Sequence, residues 1–538
     1  MFNGTVHANL RCGNINEDIY LQGIYLLYMK KQTLILIGFI LLKFVLSYTL
    51  INPVYDLQRD EYLHLDQANH LSWGYISVPP MSSWIAWLIK ILGNGVFWVK
   101  FFPALFGAGT LYFTWKMMEA LNADLPALIL GATAILVSAI LRVNILFQPN
   151  SLDIFWWTFL YYCVSRFIQT SYPRWIYAAA IACALGFLSK YNIAFAIIGL
   201  APAFLLTSHR KIFLNKHLYI AAGLALLIIS PNLLWQYQHD FPTYYQLKEL
   251  NSTQLVHVER SGFLKEQLLF FISSLFVIVA GLVSFFTYRQ HKPFRLFFWS
   301  FFISLFTFMY FKAKGYYAIG LYPVIIAFGA VYLAALCKKF QKNYIMPVLV
   351  AIVVIISIPL FMIGFPTKPP AETKRYLAKY KDIGILRWED GKNHDLPQDF
   401  ADMLGWSELA AKVDSAYSTL SDKEHTLVYC DNYGQAGAIN YYSSFKNIGA
   451  VSLNADYIYW IPLHKPIKNV IRVKDIYDRE TDRSDEKKMF EKVYLFGRIE
   501  NEFAREKGTS IYVFENARIN VNAIIQKDID EYNQVHFK

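Results

Sequence analysis

Seven ionisable residues crowd the stretch NPVYDLQRDEYLHLDQANHLSWGYISVPPM: Asp56, Arg59, Asp60, Glu61, His64, Asp66 and His70. The adjacent pair Asp60-Glu61 lies within ten residues of a long apolar run. Carboxylates at the edge of a membrane are expensive to bury, so a functional use is the default reading. A carboxylate held there can accept the proton of an incoming hydroxyl as a general base. For Asp56, His64, Asp66 and His70 a solvated charged loop is an equally good account. A further acid, Asp153, follows Pro149-Asn150-Ser151 and opens the aromatic run IFWWTFLYY. It fits the same chemistry and equally fits a helix N-terminal cap. The third set is cationic: Arg59, Arg142, Lys190, Lys312 and Lys314, the last two in KAKGYY with Tyr316 and Tyr317. Cations at this depth suit a phosphate carried into the site on a lipid, although boundary Lys and Arg also snorkel to headgroups.

The elements that must position these groups are membrane helices. Of 538 residues 55% are hydrophobic and only 17% charged, against about 25% charged in soluble proteins. The formal net charge is +11, but the excess is not spread along the chain. Residues 1–365 hold 26 basic and 13 acidic groups, whereas residues 366–538 hold 25 and 27. The positive excess therefore flanks apolar stretches, which argues for a membrane and against a nucleic-acid partner. Apolar runs predict eleven spans, at 33–51, 96–117, 126–145, 152–169, 175–189, 192–207, 218–235, 267–287, 294–311, 316–337 and 344–364. Residues 175–207 as a single helix would run roughly 50 Å, too long to cross once, so a break is expected at Lys190-Tyr191-Asn192. The loops carrying Lys30, Lys31, Lys116, Arg210, Lys211, Lys338 and Lys339 hold few acids and face the cytoplasm by the positive-inside rule. An odd number of spans then puts the acidic pair, the five cations and the C-terminal tail on the outer side.

Met29-Lys30-Lys31 before an apolar run has the form of a signal n-region, so residues 1–28 read as an upstream extension. Residues 29–365 form the membrane domain. From 366 on, a Pro-rich linker leads into a soluble α+β domain, 366–538, with a helix near 402–419 and strands at 425–430, 449–453, 470–474, 493–499 and 510–515. Among the cysteines no CxxC or Cys/His cluster points to zinc, and no nucleotide-binding loop or hydrolase motif is present.

The order RDEYLHLDQANHL, PNSLDIFWWTFLYY, GFLSKYNIAF, SPNLLWQYQHDFPTYYQLKE, FLKEQLLF and KAKGYYAIGLYPVIIAFGAVYL resembles the bacterial family 39 glycosyltransferases. These are related to protein O-mannosyltransferases and aminoarabinose transferases and have the GT-C fold. ADMLGWSELAAKV and YCDNYGQAGAINYYSS resemble the soluble segment of bacterial members, so the resemblance runs from Met29 almost to the end. It implies transfer of a sugar from a polyprenyl-phosphate donor to an extracytoplasmic acceptor, by an enzyme of the bacterial inner membrane whose active site faces the periplasm or exterior. It implies Asp60 as base, with Glu61 and Asp153 orienting the acceptor or holding a metal. Lys190, Lys312, Lys314, Arg59 and Arg142 would neutralise the donor phosphate, and His64, Tyr191, Tyr316 and Tyr317 would bind substrate. Phosphate leaves as a stable anion, so no cofactor is required, and a divalent metal is compatible but optional. One displacement by an oxygen nucleophile would invert the anomeric centre. The alternative is a polytopic transporter or lipid flippase, whose ionisable residues would line a path near the bilayer midplane.

Overall fold

The computed structural model describes residues 15–253, 259–478, 480 and 482–536; residues 1–14 of the upstream extension lie outside them. Each of the eleven apolar runs is helical. Five helices, among them Lys30–Thr49, Val96–Ala120 and Ile345–Gly364, are long and apolar enough to cross a membrane, and seven spans result if each of two bent pairs counts once. The protein is thus a multi-pass, mostly helical membrane protein. Two expected spans are not continuous. The run at 126–145 stops at Leu136, and Ser138 caps a separate turn, Ala139–Val143, through its hydroxyl. The run at 267–287 bends by 62° between Arg260–Phe270 and Ile272–Thr287. The break inside 175–207 falls where length demanded it: one helix ends at Ser189, Lys190 is extended (φ −161°, ψ 132°), and the next helix begins at Ile193.

After the first span the chain makes a short helix, Arg59–Asp66. Its sequence is poorly apolar, so its start is fixed by hydrogen bonds. Gln58 Oε1 accepts from the backbone N–H of Asp60 at 2.9 Å, while Glu61 Oε2 accepts from the backbone N–H of Gln58 at 2.8 Å. This reciprocal capping box satisfies N–H groups that a helix start leaves open. The second Glu61 oxygen accepts from the backbone N–H of Phe147 at 2.6 Å. Glu61 is 1% exposed, and burial pushes its carboxyl up to about 7 despite the two N–H donors. It therefore braces the first loop against the connection into the helix Pro149–Thr170.

The tail carries a five-stranded sheet of β1 (Thr426–Cys430), β2 (Val451–Ser452), β3 (Asn469–Lys474), β4 (Phe490–Arg498) and β5 (Ser510–Ala517), in the order β2-β1-β3-β5-β4. β1 runs parallel to β2 and β3, while β5 is antiparallel to β3 and β4. Helices Trp406–Thr419 and Tyr433–Tyr442 leave the sheet side and reach the first loop. Tyr62, Leu63 and Leu65 of the short helix share one buried cluster with Trp406, Leu409, Ala436 and Ile439 of those tail helices. A hydrophobic core thus crosses the boundary at 365/366. Backbone and caps tie it further: the N–H groups of Asp56 and Arg59 donate to the carbonyls of Met403 and Asp402 at 2.8 and 3.1 Å. Asp56 Oδ2 accepts from the N–H groups of Trp406 and Ser407 at 3.0 and 3.2 Å, capping a tail helix from the membrane side of the chain. Asp66 accepts from Asn440 and the Tyr457 hydroxyl, both at 2.7 Å, and His70 stacks on Trp460 at 4.1 Å.

Replacing Glu61 strands two N–H groups in a buried place. Glu61→Ala is expected to cost roughly 2–4 kcal/mol and to lower the melting temperature of the detergent-solubilised protein. Glu61→Gln, which can still accept one of the two bonds, should lose less than half as much. Equal melting of all three proteins would remove the bracing role.

Candidate active site

Asp60 opens onto a cavity of about 550 Å³ whose walls come from four parts of the chain. Gln58 and Arg59 enter from the first loop, Arg142, Gln148 and Asn150 from the Ala139–Val143 turn and the start of the next helix, and Glu266, Lys314 and Tyr316 from the later helix ends. Glu389, Gln398, Asp399, Asp402 and Tyr433 come from the tail. The chain spacing that separates these groups by hundreds of residues is closed by the core described above.

Asp60 is 36% exposed at its side chain, open to the cavity and surrounded elsewhere by protein. Its Oδ1 accepts the Tyr433 hydroxyl at 2.6 Å and lies 3.5 Å from Arg59 Nε, and its Oδ2 accepts Gln148 Nε2 at 3.3 Å. Burial alone would raise this carboxyl, but the Arg59 guanidinium, the Tyr433 hydroxyl and His64 together outweigh it and hold Asp60 below the ordinary carboxylate value. Asp402, 2% exposed and 3.2 Å from Arg505, is instead pushed by burial up to about 6. The two acids therefore titrate apart, and Asp60 stays ionised over the pH range in which Asp402 takes up its proton.

Three cations, Arg59, Arg142 and Lys314, line this cavity. Arg59 lies 5.1 Å above the Tyr433 ring. Arg142 reaches Asp399 at 3.4 Å, and Lys314 reaches Glu389 at 3.5 Å. Both pairs are long and their acids half-exposed or more, so each contributes little to stability. The loop Lys314-Gly315 passes so close to Glu266 that a Cβ on Gly315 would overlap its carboxylate.

The structure thus brings Asp60, Arg59, Arg142, Lys314 and Tyr316 to one cavity. The other expected site residues stand behind it. Glu61 is the brace already described. Asp153 is 3% exposed, with Oδ1 accepting from Trp157 Nε1 at 2.9 Å and Oδ2 from Asn192 Nδ2 at 2.7 Å. It ties the break at 190–192 to the helix Pro149–Thr170, whose N-cap is Gln148, so Asp153 is not a helix cap. Lys190 donates to Asn150 Oδ1 at 2.7 Å and sits 3.9 Å from the Tyr317 ring centroid, so it acts on the cavity through Asn150. Tyr317 accepts from Asn192 through its backbone carbonyl. Tyr191 exchanges hydrogen bonds with Asn232 and Gln236 at 3.2 and 3.0 Å. His64 is buried with its ring nitrogen 3.3 Å from Gln67 Oε1. Lys312 occupies a left-handed turn (φ 53°) away from the cavity wall. Glu61, Asp153, Lys190, Lys312, His64, Tyr191 and Tyr317 are not among the residues that line this cavity.

Among the described residues no three His, Cys, Asp or Glu side chains gather as a group that could hold a metal ion, and both oxygens of Glu61 and of Asp153 accept hydrogen bonds. The sequence reading missed the tail's share of the wall altogether. Tyr433 lies in YCDNYGQAGAINYYSS, which carried a resemblance but no ionisable cluster. Gln148 and Asn150 flank the proline that marked the run into Asp153.

Residues 77–235 match the family model described as dolichyl-phosphate-mannose-protein mannosyltransferase, a region that includes Asp153 and Lys190 but begins after Asp60. Over 262 residues the chain is 24% identical to the lipid A galacturonosyltransferase RgtD of Rhizobium johnstonii, covering 48% of this chain and 53% of that protein. The chain thus spans about half the length of this curated relative. Its fold matches the crystal structures of ArnT from Cupriavidus metallidurans. The apo form gives a TM-score of 0.59 with 12% identity, covering 92% of this chain and 99% of that one. The form bound to undecaprenyl phosphate gives 0.54, also at 12% identity, covering 91% and 98%. In motif order, in sequence over about half of its residues and in fold over nine-tenths of its length, the chain resembles the GT-C, family 39 glycosyltransferases.

Proposed function

We propose that the chain moves a sugar, as a hexosyl or pentosyl unit, from a polyprenyl-phosphate-linked donor to a hydroxyl of an extracytoplasmic acceptor, with inversion. The observation that carries this is Asp60, ionised and open to a cavity that also holds Arg59, Arg142 and Lys314. The match to a family described by a dolichyl-phosphate-linked sugar, and the fold shared with a protein crystallised on undecaprenyl phosphate, support the donor class. In this reading the eleven helical runs all lie in the bacterial inner membrane, and the cavity and tail face the periplasm or exterior. The acceptor is an envelope glycan, lipid or protein.

In the reaction Asp60 takes the acceptor proton as the acceptor oxygen bonds to the anomeric carbon. The bond from that carbon to the phosphate oxygen breaks on the opposite face, and its electron pair leaves on the phosphate. Arg142 and Lys314 gain a partner for that charge, which requires their long pairs with Asp399 and Glu389 to yield. Cations already aimed at the place where charge develops need little reorganisation. A transport reading gains no support: the charged groups gather at the tail-facing end of the helices rather than along a path through them.

Two outcomes test this. In a deletion strain complemented with Asp60→Asn, mass spectrometry of the envelope should show one glycan residue missing and a polyprenyl-phosphate sugar accumulating. The transfer rate is expected to fall about 10²–10⁴-fold. Normal glycans with normal expression would exclude Asp60 as the base. The second concerns pH. A base must be unprotonated to act, and Asp60 is held below the ordinary carboxylate value, so the rate should stay level as pH falls from 8 to about 5. An acid limb near 6 would point instead to Asp402 as the group that matters.

A further inference from the structure

The tail places one hydroxyl against the candidate base. Tyr433 occupies the first position of the helix Tyr433–Tyr442, and Asn432 and Gln435 form a capping box that fixes that start. Gln435 and Asn432 are themselves held by Glu506, at 2.8 and 3.3 Å. The next residue is Gly434, where any Cβ would overlap the Arg59 side chain. The backbone therefore comes within contact of Arg59 and leaves Tyr433 one place to go, beneath the guanidinium and against Asp60. A phenol buried in such a site costs stability unless it is hydrogen-bonded, and its partner is Asp60 Oδ1 at 2.6 Å. Burial raises the Tyr433 hydroxyl well above its ordinary value, so it stays protonated and is the donor.

Resting on the assignment of Asp60 as base, we propose that Tyr433 is a positioning residue for the transfer. Supplied by the soluble tail, its hydroxyl holds Oδ1 so that the remaining lone pair of Oδ2 meets the acceptor. Gln148 on Oδ2 sets the other side of the carboxylate plane. The tail is then part of the active site rather than an appended binding module, and the site is complete only when the tail helix is seated on the first loop. The charged and titratable groups around Asp60 are Arg59 and His64 from its own helix, Asp402 and Tyr433 from the tail and Tyr316 from the late loop, with Arg142, Glu266, Lys314, Glu389 and Asp399 elsewhere on the cavity wall. Of these, Tyr433 alone both touches the carboxylate and comes from the tail.

The test reads the protonation of Asp60 in the full-length protein. A hydrophobic carbodiimide labels the protonated carboxyl, and tandem mass spectrometry separates Asp60 from Glu61 beside it. In Tyr433→Phe the ring still lies under Arg59 but the donor is gone, so the carboxylate loses stabilisation and its midpoint should rise by about one pH unit. Transfer from the polyprenyl-phosphate sugar extracted from the deletion strain should fall about ten- to a hundredfold. Tyr62→Phe removes another hydroxyl of the same interface, one that bonds Tyr442 at 3.3 Å and does not touch Asp60, and should leave the midpoint in place. Incorporating 3-fluorotyrosine at position 433 keeps the packing and strengthens the donor, so it should lower the midpoint even if the Phe variant does not fold. An unmoved midpoint in the fluorinated protein, or an equal shift in Tyr62→Phe, would overturn the proposal. Full transfer by Asp60→Asn alongside a shifted midpoint would instead overturn the base assignment and leave the Tyr433 bond standing.

Discussion

The seating of the short helix Arg59–Asp66 on the tail is the interaction on which the site depends. Apolar side chains of both parts form one buried cluster, and carboxylates from both parts close the polar gaps around it. Asp56 caps a tail helix, Asp66 receives two tail donors and Asp456 of the tail accepts from Gln67 and from the N–H of Ile76. Buried polar groups of this kind are costly unless every one is matched. A tail shifted by a few ångström would leave several unmatched at once, which makes the seated arrangement specific as well as stable.

That specificity explains a division of labour among the acids. Asp60 keeps an open face on the cavity while staying below its ordinary proton affinity; Glu389 on the same wall is also lowered but is tied to Gln398 and Lys314. Glu61 and Asp456 are raised to about 7 and 6 by the same burial. Both spend their oxygens on frame donors. The difference lies in Arg59 and Tyr433, one from each side of the seam. A neighbouring carboxyl one residue along the helix cannot share them, because successive helical residues point about 100° apart.

The cations follow a similar logic. Arg142 and Lys314 are each met by a tail acid at a distance too long for a strong pair. Half-exposed carboxylates can be displaced by a phosphate at modest cost, since exposed pairs are worth little. Lys190 differs: it is held by Asn150 and stacked against Tyr317, and so fixes a wall residue.

Much of this was legible in the residues. Apolar run length gave the helices, and the 33-residue stretch 175–207 required its break because helix rise per residue is fixed. The pair Asp60-Glu61 and the compact KAKGYY were visible because ionisable groups at the edge of a membrane are expensive to bury and so invite a functional reading. Periodicity and charge could not tell Asp60 from Glu61, since both are acids at the same depth; only the direction of each side chain against Phe147 or Tyr433 separates them. Nor could they show that a tyrosine near residue 433, in a tail of ordinary composition, would complete a site begun at residue 60. Local sequence determines local structure and membrane preference, because helix geometry and transfer from water act over a few residues. Which polar atoms meet across hundreds of residues was decided by the tertiary structure, where burial and the matching of each hydrogen bond select one seating of tail on loop.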